Sequence, residues 1–261
     1  MKKFAATLLA LLMMLTAFVG CGNKDVLDSE YVKEKGKLVV GITDFAPMDY
    51  KDADGKWIGF DADMATAFAE SLDVDVEFVE INWDNKVFEL NGKNIDCVWN
   101  GMTLTDAVKE AMETSNPYFN NAQVVIVKKD VANNYMTAEA CKDLKFAVEG
   151  GSAGKDMAVE NNFTYTEVED QASALNEVKA GTSDAAIIDY LMATAMVGEG
   201  TGYADLAYAA SLNSEEYGVG FRKGSDLAEK LNEFFKSAYA DGSMKACADK
   251  YKIGDKLIEQ K

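Results

Sequence analysis

The feature that most constrains the fold is an alternation of short apolar segments with amphipathic ones, which begins at residue 37. The segments Lys37–Ile42 and 74–81 are rich in β-branched residues, as strands are. Between them, residues 61–72 have apolar side chains at helical spacing. A strand, a helix and a second strand in succession predict a parallel sheet in an α/β fold.

The alternation restarts in the second half of the chain. A strand at 144–148 is followed by a helix at 170–180 and by a further strand at 184–188. Two successive α/β units predict two lobes, with the chain passing from one to the other near residues 119–123. A last strand at 218–221 precedes the helices of 225–250.

The N-terminus has the layout of a secretory signal peptide. Lys2 and Lys3 precede an apolar stretch that is too short to span a bilayer, and small residues follow it. The residues AFVGC at 17–21 resemble a bacterial lipobox, in which Cys21 receives a lipid after cleavage; an ordinary signal peptide is the alternative. We expect a leader at 1–20, a lipidated Cys21 with a tether at 21–36, and a body anchored at the extracellular face of the cell membrane.

Composition narrows the chemistry of this body. Removing the two lysines of the leader leaves 24 basic residues against 44 acidic ones, and such a surface repels nucleic acid. The chain has no His, so the commonest general base and metal ligand is missing. Cys141 and Cys247 stand outside any CxxC spacing; a disulfide between them is allowed in this compartment, but we expect free thiols. No cofactor is expected.

Several segments carry a resemblance to a known family. The chain resembles the amino-acid-binding solute receptors of ABC importers, which are periplasmic-binding-protein-like proteins of type II, family 3, here in lipoprotein form. The segments occur in family order and cover nearly the whole body. They are KLVVGITDFAPMDYKDADGKWIGFDADMA at 37–65, NGMTLTD at 100–106, SNPYFNNAQVVIVKKD at 115–130, FAVEGGSAG at 146–154, KAGTSDAAIIDY at 179–190 and EYGVGFRKG at 216–224.

The resemblance implies an architecture. It implies two lobes, each a mostly parallel sheet flanked by helices, joined by two crossover strands. The first lobe would comprise 37–120 and 213–261, and the second 121–212. A hinge motion would close the lobes on the ligand, which agrees with the tendency of ligands to bind at the carboxyl ends of parallel strands.

The resemblance also assigns roles to single residues. Phe45 and Trp83 match the aromatic positions that sandwich the ligand's side chain; aromatic rings are apolar walls that also attract cations. Asp189 matches the carboxylate that receives the ligand's α-ammonium. The alternatives are core packing for the two rings, and capping of the next helix for Asp189.

Asn100, Gly101 and Thr103 match the backbone and hydroxyl donors around the ligand's α-carboxylate. The family completes this clamp with an Arg, whose guanidinium meets a carboxylate through two parallel hydrogen bonds. The matching position here is Val108, and Arg222, the only Arg of the chain, falls in a segment outside the family's pocket. Which residues would bind the ligand's carboxylate is therefore an open question.

Two answers remain open. The carboxylate could lie on Gly151, Ser152 and the N–H groups of the helix start behind them, which form an anion site without a charged side chain. Alternatively, the ligand has no carboxylate there, and Asp44, Glu149 and Asp189 form a cleft that favours cations. A surface position for Asp44 is an equal alternative.

The sequence thus predicts a substrate-binding lipoprotein rather than an enzyme. It would capture a polar or cationic amino acid, or a related amine, and deliver it to an ABC permease whose ATPase subunits hydrolyse ATP. We expect a monomer that binds its membrane through the lipid anchor and does not bind nucleic acid. A receptor for a carboxylate-free amine or modified amino acid, a sensory lipoprotein, and a dehydratase-like enzyme of the same fold are the alternatives.

Overall fold

The computed structural model describes residues 27–261. The predicted leader and the lipidation site Cys21 lie outside these residues. The strands are β1 Lys37–Ile42, β2 Tyr50–Lys51, β3 Trp57–Ile58, β4 Asp75–Glu80, β5 Cys97–Thr103, β6 Glu113–Thr114, β7 Phe119–Asn121, β8 Gln123–Lys128, β9 Lys145–Glu149, β10 Thr164–Val168, β11 Ala185–Asp189, β12 Leu206–Ser211 and β13 Glu215–Phe221. The α-helices are α1 Asp28–Lys35, α2 Phe60–Ser71, α3 Lys86–Asn91, α4 Asp106–Ala111, α5 Ala153–Glu160, α6 Gln171–Ala180, α7 Tyr190–Met196, α8 Leu227–Ala240 and α9 Ser243–Lys250.

The strands form two large sheets and one small hairpin. The first sheet has the order β4-β1-β5-β13-β6, with β7 also paired to β13; the second has the order β10-β9-β11-β8-β12. In the first sheet β1 runs parallel to β4 and β5, and in the second β9 runs parallel to β10 and β11. Both sheets are mixed: β13 in the first and β8 in the second run antiparallel to their neighbours, while the other strands of each sheet share one direction, so the sheets are mostly parallel as expected.

The chain passes between the sheets at two adjacent places. A single residue, Ala122, separates β7 in the first sheet from β8 in the second, and three residues separate β12 from β13 on the return. The two passages are bonded to each other, because the N–H of Leu212 donates to the carbonyl of Gln123 over 2.9 Å. β8 enters the second sheet directly from the first sheet, and β13 enters the first sheet directly from the second. Each of the two strands therefore runs antiparallel to its neighbours.

The burial of the strands explains their order. In β1 every residue after Lys37 is buried, and in β11 all five residues are buried, as in strands covered on both faces. β4 and β10 have exposed residues along their length and lie at the sheet edges. The helices α2 and α8 contribute buried residues such as Phe68 and Phe235 to the core of the first sheet. The carboxyl ends of β5, β9 and β11 are consequently anchored by buried strands and face one cavity.

Candidate functional site

A small polar cavity lies between the two sheets. About 40 Å³ of it is open to the centre of a water molecule, which is room for roughly three waters. Its walls are formed by residues from both sheets and the loops that follow their strands. The lining residues are Thr43, Trp83, Lys86, Asn100, Gly101, Met102, Thr103, Thr105 and Val108 from the first sheet and its loops, and Glu149, Gly151, Ser152, Ala153, Asp156, Gln171 and Asp189 from the second.

Asp189, at the end of β11, is buried in a ring of hydrogen-bond donors. One carboxylate oxygen accepts from Asn121, from Gln123 at 3.1 Å and from the Tyr217 hydroxyl at 2.6 Å, and the other accepts from Gln171. Burial, followed by the charge of Glu215, raises the pKa of Asp189 to about 7. Asp189 occupies the N-cap position of α7 but makes no side-chain capping bond, so helix capping does not explain its presence.

Hydrogen bonds and close packing fix the backbone of the segment Asn100–Thr103 in β5. The Asn100 amide is saturated: its oxygen accepts the Thr43 N–H and hydroxyl, and its NH₂ donates to the Thr43 carbonyl and to Asp49. Gly101 has φ +54°, and a Cβ there would lie 2.3 Å from the Phe45 ring. The Asn100 side chain therefore positions the segment, and the glycine leaves its backbone open to the cavity.

Two buried carboxyl groups support this segment from behind. Asp61 accepts the Gly101 N–H at 2.7 Å and the Tyr118 hydroxyl at 2.8 Å, while Asp49 accepts from Asn100. Burial raises the pKa of Asp61 to about 7, and burial together with the charge of Asp61 raises the pKa of Asp49 well above its usual value. Like charges this deeply buried favour the protonated form of at least one of the two carboxyl groups.

The loop after β9 forms the opposite wall. Gly151 has φ +68°, and Ser152 caps α5 by accepting the Lys155 N–H while its own hydroxyl donates to the Glu149 carbonyl. Glu149 is 3% exposed, and within the described residues its Oε1 atom has no hydrogen-bond partner. Burial, followed by the nearby charges of Asp189 and Asp170, raises its pKa to about 8. This oxygen is thus available to a group that enters the cavity.

The structure does not bring all predicted site residues to the cavity. The Phe45 ring does not line it; the ring is 3% exposed, fills the space that Gly101 leaves and meets Tyr217 edge-on at 6.3 Å between ring centroids. Core packing, the alternative reading of Phe45, therefore applies in this conformation. Asp44 is exposed and does not line the cavity; partial desolvation, followed by the charges of Asp170 and Glu80, raises its pKa. Trp83 lines the cavity as expected.

Lys86 is the main site residue that the sequence analysis missed. It begins α3, is 9% exposed and places its ammonium 4.9 Å from the centre of the Trp83 ring. Its Nζ atom donates to the carbonyl of Gly151 at 2.8 Å and to that of Trp83 at 3.1 Å. Burial lowers the pKa of Lys86, an effect that Glu149 opposes. The available signal was the three-residue spacing between Trp83 and Lys86, which brings two side chains together on a helix.

Four further observations concern the described part of the chain. Arg222 lies outside the cavity, where it donates to Asp28 and Asp96 and to two backbone carbonyls. Cys141 and Cys247 are both free. Residues 27–261 contain no helix with the length and apolarity needed to cross a membrane. The same residues contain no group of three or more His, Cys, Asp or Glu side chains placed to hold a metal ion.

The comparisons with known proteins agree on one family. The sequence pattern of the bacterial extracellular solute-binding proteins, family 3, matches residues 38–254. The arginine-binding extracellular protein of Bacillus subtilis is 27% identical over 266 residues, which cover 98% of this chain and 100% of that protein.

Two solved structures show the same fold. An ABC uptake transporter substrate-binding protein of Streptococcus pneumoniae with bound histidine has a TM-score of 0.81 and 29% identity, and the match covers 88% of this chain and 98% of that one. An ancestral amino-acid-binding protein, described as a precursor of cyclohexadienyl dehydratase, has a TM-score of 0.78 and 32% identity over 85% of this chain and 98% of that one. The family resemblance and the α/β fold class inferred from the sequence are confirmed.

Proposed function

Because the chain belongs to the bacterial extracellular solute-binding proteins of family 3, we propose that it captures an amino acid in the cavity between its two sheets and delivers it to an ABC permease. A polar or cationic amino acid is the ligand class that the cavity favours. The relatives and solved structures described above are named for binding arginine, histidine or amino acids in general.

One observation carries this proposal. Asp189 is 4% exposed, and within the described residues no cation is paired with it. A buried carboxylate without a counter-ion is costly, and the raised pKa of Asp189 reports that cost. A ligand's ammonium at this place would supply the missing charge. The unpartnered Oε1 of Glu149 supports a second polar group of the ligand on the same side.

The proposed mechanism is capture by a hinge motion of two lobes. The first lobe comprises 37–120 and 213–261 and the second 121–212, joined by the two adjacent passages of the chain. Ligand that contacts both walls stabilises the closed form, which the permease recognises; ATP is hydrolysed by other subunits. In this proposal the receptor is a monomer, held at the extracellular face of the membrane through a lipid on Cys21, and is not an enzyme.

Val108 lines the cavity at the position where the family carries an arginine. This difference is the reason to consider a second ligand class. A carboxylate-free amine would need no cation at this position. The contacts of Asp189 and Trp83 would serve such an amine equally well, so the two classes differ only at the carboxylate.

The test is a thermal-shift screen followed by calorimetric titration. The protein is purified without its first 22 residues, which lie outside the described fold, and is screened against all proteinogenic amino acids, ornithine, citrulline, polyamines and betaines. An amino acid present at about 100 times its Kd adds about 2.7 kcal/mol of stability. A screen in which no amino acid stabilises the protein would refute the proposal.

The Asp189→Asn variant tests the site itself. The amide removes the charge that meets the ammonium, so we expect affinity to fall by at least about 2 kcal/mol, which is roughly 30-fold. Asp205→Asn is the matched control, because Asp205 is an exposed residue in a surface ion pair with Lys128. Equal affinities of the Asp189→Asn variant and the wild-type protein would refute the assignment of Asp189.

A further inference from the structure

The positive charge in the cavity comes from a lysine in the wall that belongs to the first sheet and its loops. We propose that Lys86 holds the ligand's carboxylate, in the role for which the family uses an arginine at the position of Val108. The inference rests on the proposed function, since it needs an amino acid as the ligand. It assigns a specificity-determining residue that the family resemblance does not supply.

The charges of the cavity single out Lys86. Among the described residues that line the cavity, Lys86 is the only one with a positive charge, against Glu149, Asp156 and Asp189. Arg222 is committed to Asp28, Asp96 and backbone carbonyls outside the cavity. A carboxylate entering this acidic surrounding therefore depends on Lys86 for attraction.

The ammonium of Lys86 is already positioned. Its Nζ atom donates to the carbonyls of Trp83 and Gly151, and the Trp83 ring lies 4.9 Å away. An ammonium has three N–H donors, so one donor remains after these two bonds. The side chain is only 9% exposed, and its conformational entropy has thus been lost before the ligand arrives.

Lys86 also lies beside a second source of anion attraction. Its partner Gly151 directly precedes Ser152, which caps the eight-residue helix α5. The first N–H groups of a helix have no acceptor within the helix, and the helix dipole is positive at this end. A carboxylate between Lys86 and the start of α5 would meet a full charge on one side and N–H groups on the other. The Thr103 hydroxyl lines the same cavity but donates to Glu215 over 2.9 Å, so Lys86 and the helix start carry the attraction.

The alternative role for Lys86 is a counter-ion of Glu149. Within the described residues, however, the two groups form no ion pair, and the Glu149 Oε1 atom has no hydrogen-bond partner. The bonds of the ammonium go to neutral carbonyls instead. The charges of Glu149, Asp84 and Asp156 favour the ammonium from a distance, but among the described residues none of them bonds to it. An incoming carboxylate would be its first charged hydrogen-bond partner.

The experiment compares amino acids with the amines that remain when their carboxylate is removed. The first pairs are L-arginine with agmatine and L-histidine with histamine, and any other amino acid found in the screen is paired in the same way. The variant is Lys86→Met, which keeps the length of the side chain and removes the charge. Lys109→Met is the matched control, because Lys109 is an exposed residue next to Val108.

We expect Lys86→Met to weaken binding of the amino acid by roughly 10- to 100-fold, the range for a hydrogen bond between charged groups, and to leave binding of the amine within about 3-fold. Adding Val108→Arg to Lys86→Met should recover at least about 10-fold for the amino acid alone, because the guanidinium restores a cation on the same cavity. Lys109→Met should behave as wild type.

Equal losses for the amino acid and the amine would show that Lys86 only joins the two walls, and would overturn the inference. Unchanged amino-acid binding by Lys86→Met would overturn it too, while the proposed function would stand. If the wild-type protein bound no amino acid at all, the proposed function would fail, which is a distinguishable result.

Discussion

Replacement of Gly151 by alanine tests whether the two walls must meet for binding. A Cβ at this position would lie 2.6 Å from Oδ1 of Asp84 and 2.7 Å from its Cα atom. The Cα atom belongs to the backbone of the opposite wall, so a side-chain rotation cannot relieve the contact. Carbon atoms in contact are about 3.5–4.0 Å apart, and the walls must therefore separate by roughly 1 Å.

The expected loss of ligand affinity follows from this separation of the walls. The Lys86 Nζ to Gly151 oxygen distance of 2.8 Å would exceed the length of a hydrogen bond after a shift of roughly 1 Å. Overpacking of this kind costs about 1–3 kcal/mol, so Gly151→Ala should weaken ligand binding by roughly 5- to 150-fold. The assay is calorimetric titration with the amino acid found in the screen, together with thermal unfolding of the ligand-free protein.

Gly181→Ala is the control for backbone strain. Gly181 has φ +80°, follows α6, and would place its Cβ where no atom lies within 4 Å. Both substitutions put alanine in the left-handed region, at a cost of about 1–2 kcal/mol in stability, but only Gly151→Ala obstructs the approach of the walls. If both variants bound the amino acid as tightly as wild type, closure of these walls would not be part of binding.

Two further predictions concern buried charges away from the cavity surface. The pKa of Asp61 is raised to about 7, so its stabilising contribution is complete below about pH 4 and is lost as the pH rises through 7. In guanidinium chloride unfolding, Asp61→Asn should exceed wild type in free energy of unfolding by up to about 4 kcal/mol at pH 8, and the difference should vanish only near pH 4. Equal differences at both pH values would contradict this. Arg222→Met should lower the free energy of unfolding by about 3 kcal/mol, because it breaks a buried pair with Asp96, and leave ligand affinity unchanged; weaker binding at unchanged stability would refute the placement of Arg222 outside the site.

Buried central strands were predictable from the sequence. Lys37–Ile42 forms a strand with the expected bounds, and the strand expected at 184–188 spans Ala185–Asp189, because both segments are apolar runs buried in the sheet centre. Thr164–Val168 and Leu206–Ser211 were missed as strands. Both lie at the edges of the second sheet, where exposure on one side removes the apolar pattern that marks a strand.

The site was predictable where a residue follows a strand. Trp83, Asp189 and the segment 100–103 reach the cavity because strand ends fix their positions. Lys86 was missed because a lysine is usually a solvated residue, and only the packing of the two walls buries its stem. Phe45 was expected on the cavity, but in this structure its ring packs against Gly101, where the missing side chain leaves room for it.

The strand order of the first sheet sets the sequence in which the chain can fold. β13 lies between β5 and β6 in that sheet, although its residues, Glu215–Phe221, are made only after the whole second sheet. The second sheet is one continuous stretch, from Gln123 to Ser211, and can form as soon as it is complete. Contacts across such long stretches of chain slow folding. Until β13 arrives, β5 remains an exposed edge, which is a template for pairing with other chains. The first sheet therefore cannot complete its pairing until the chain has been made as far as β13, even though most of its strands come early in the sequence.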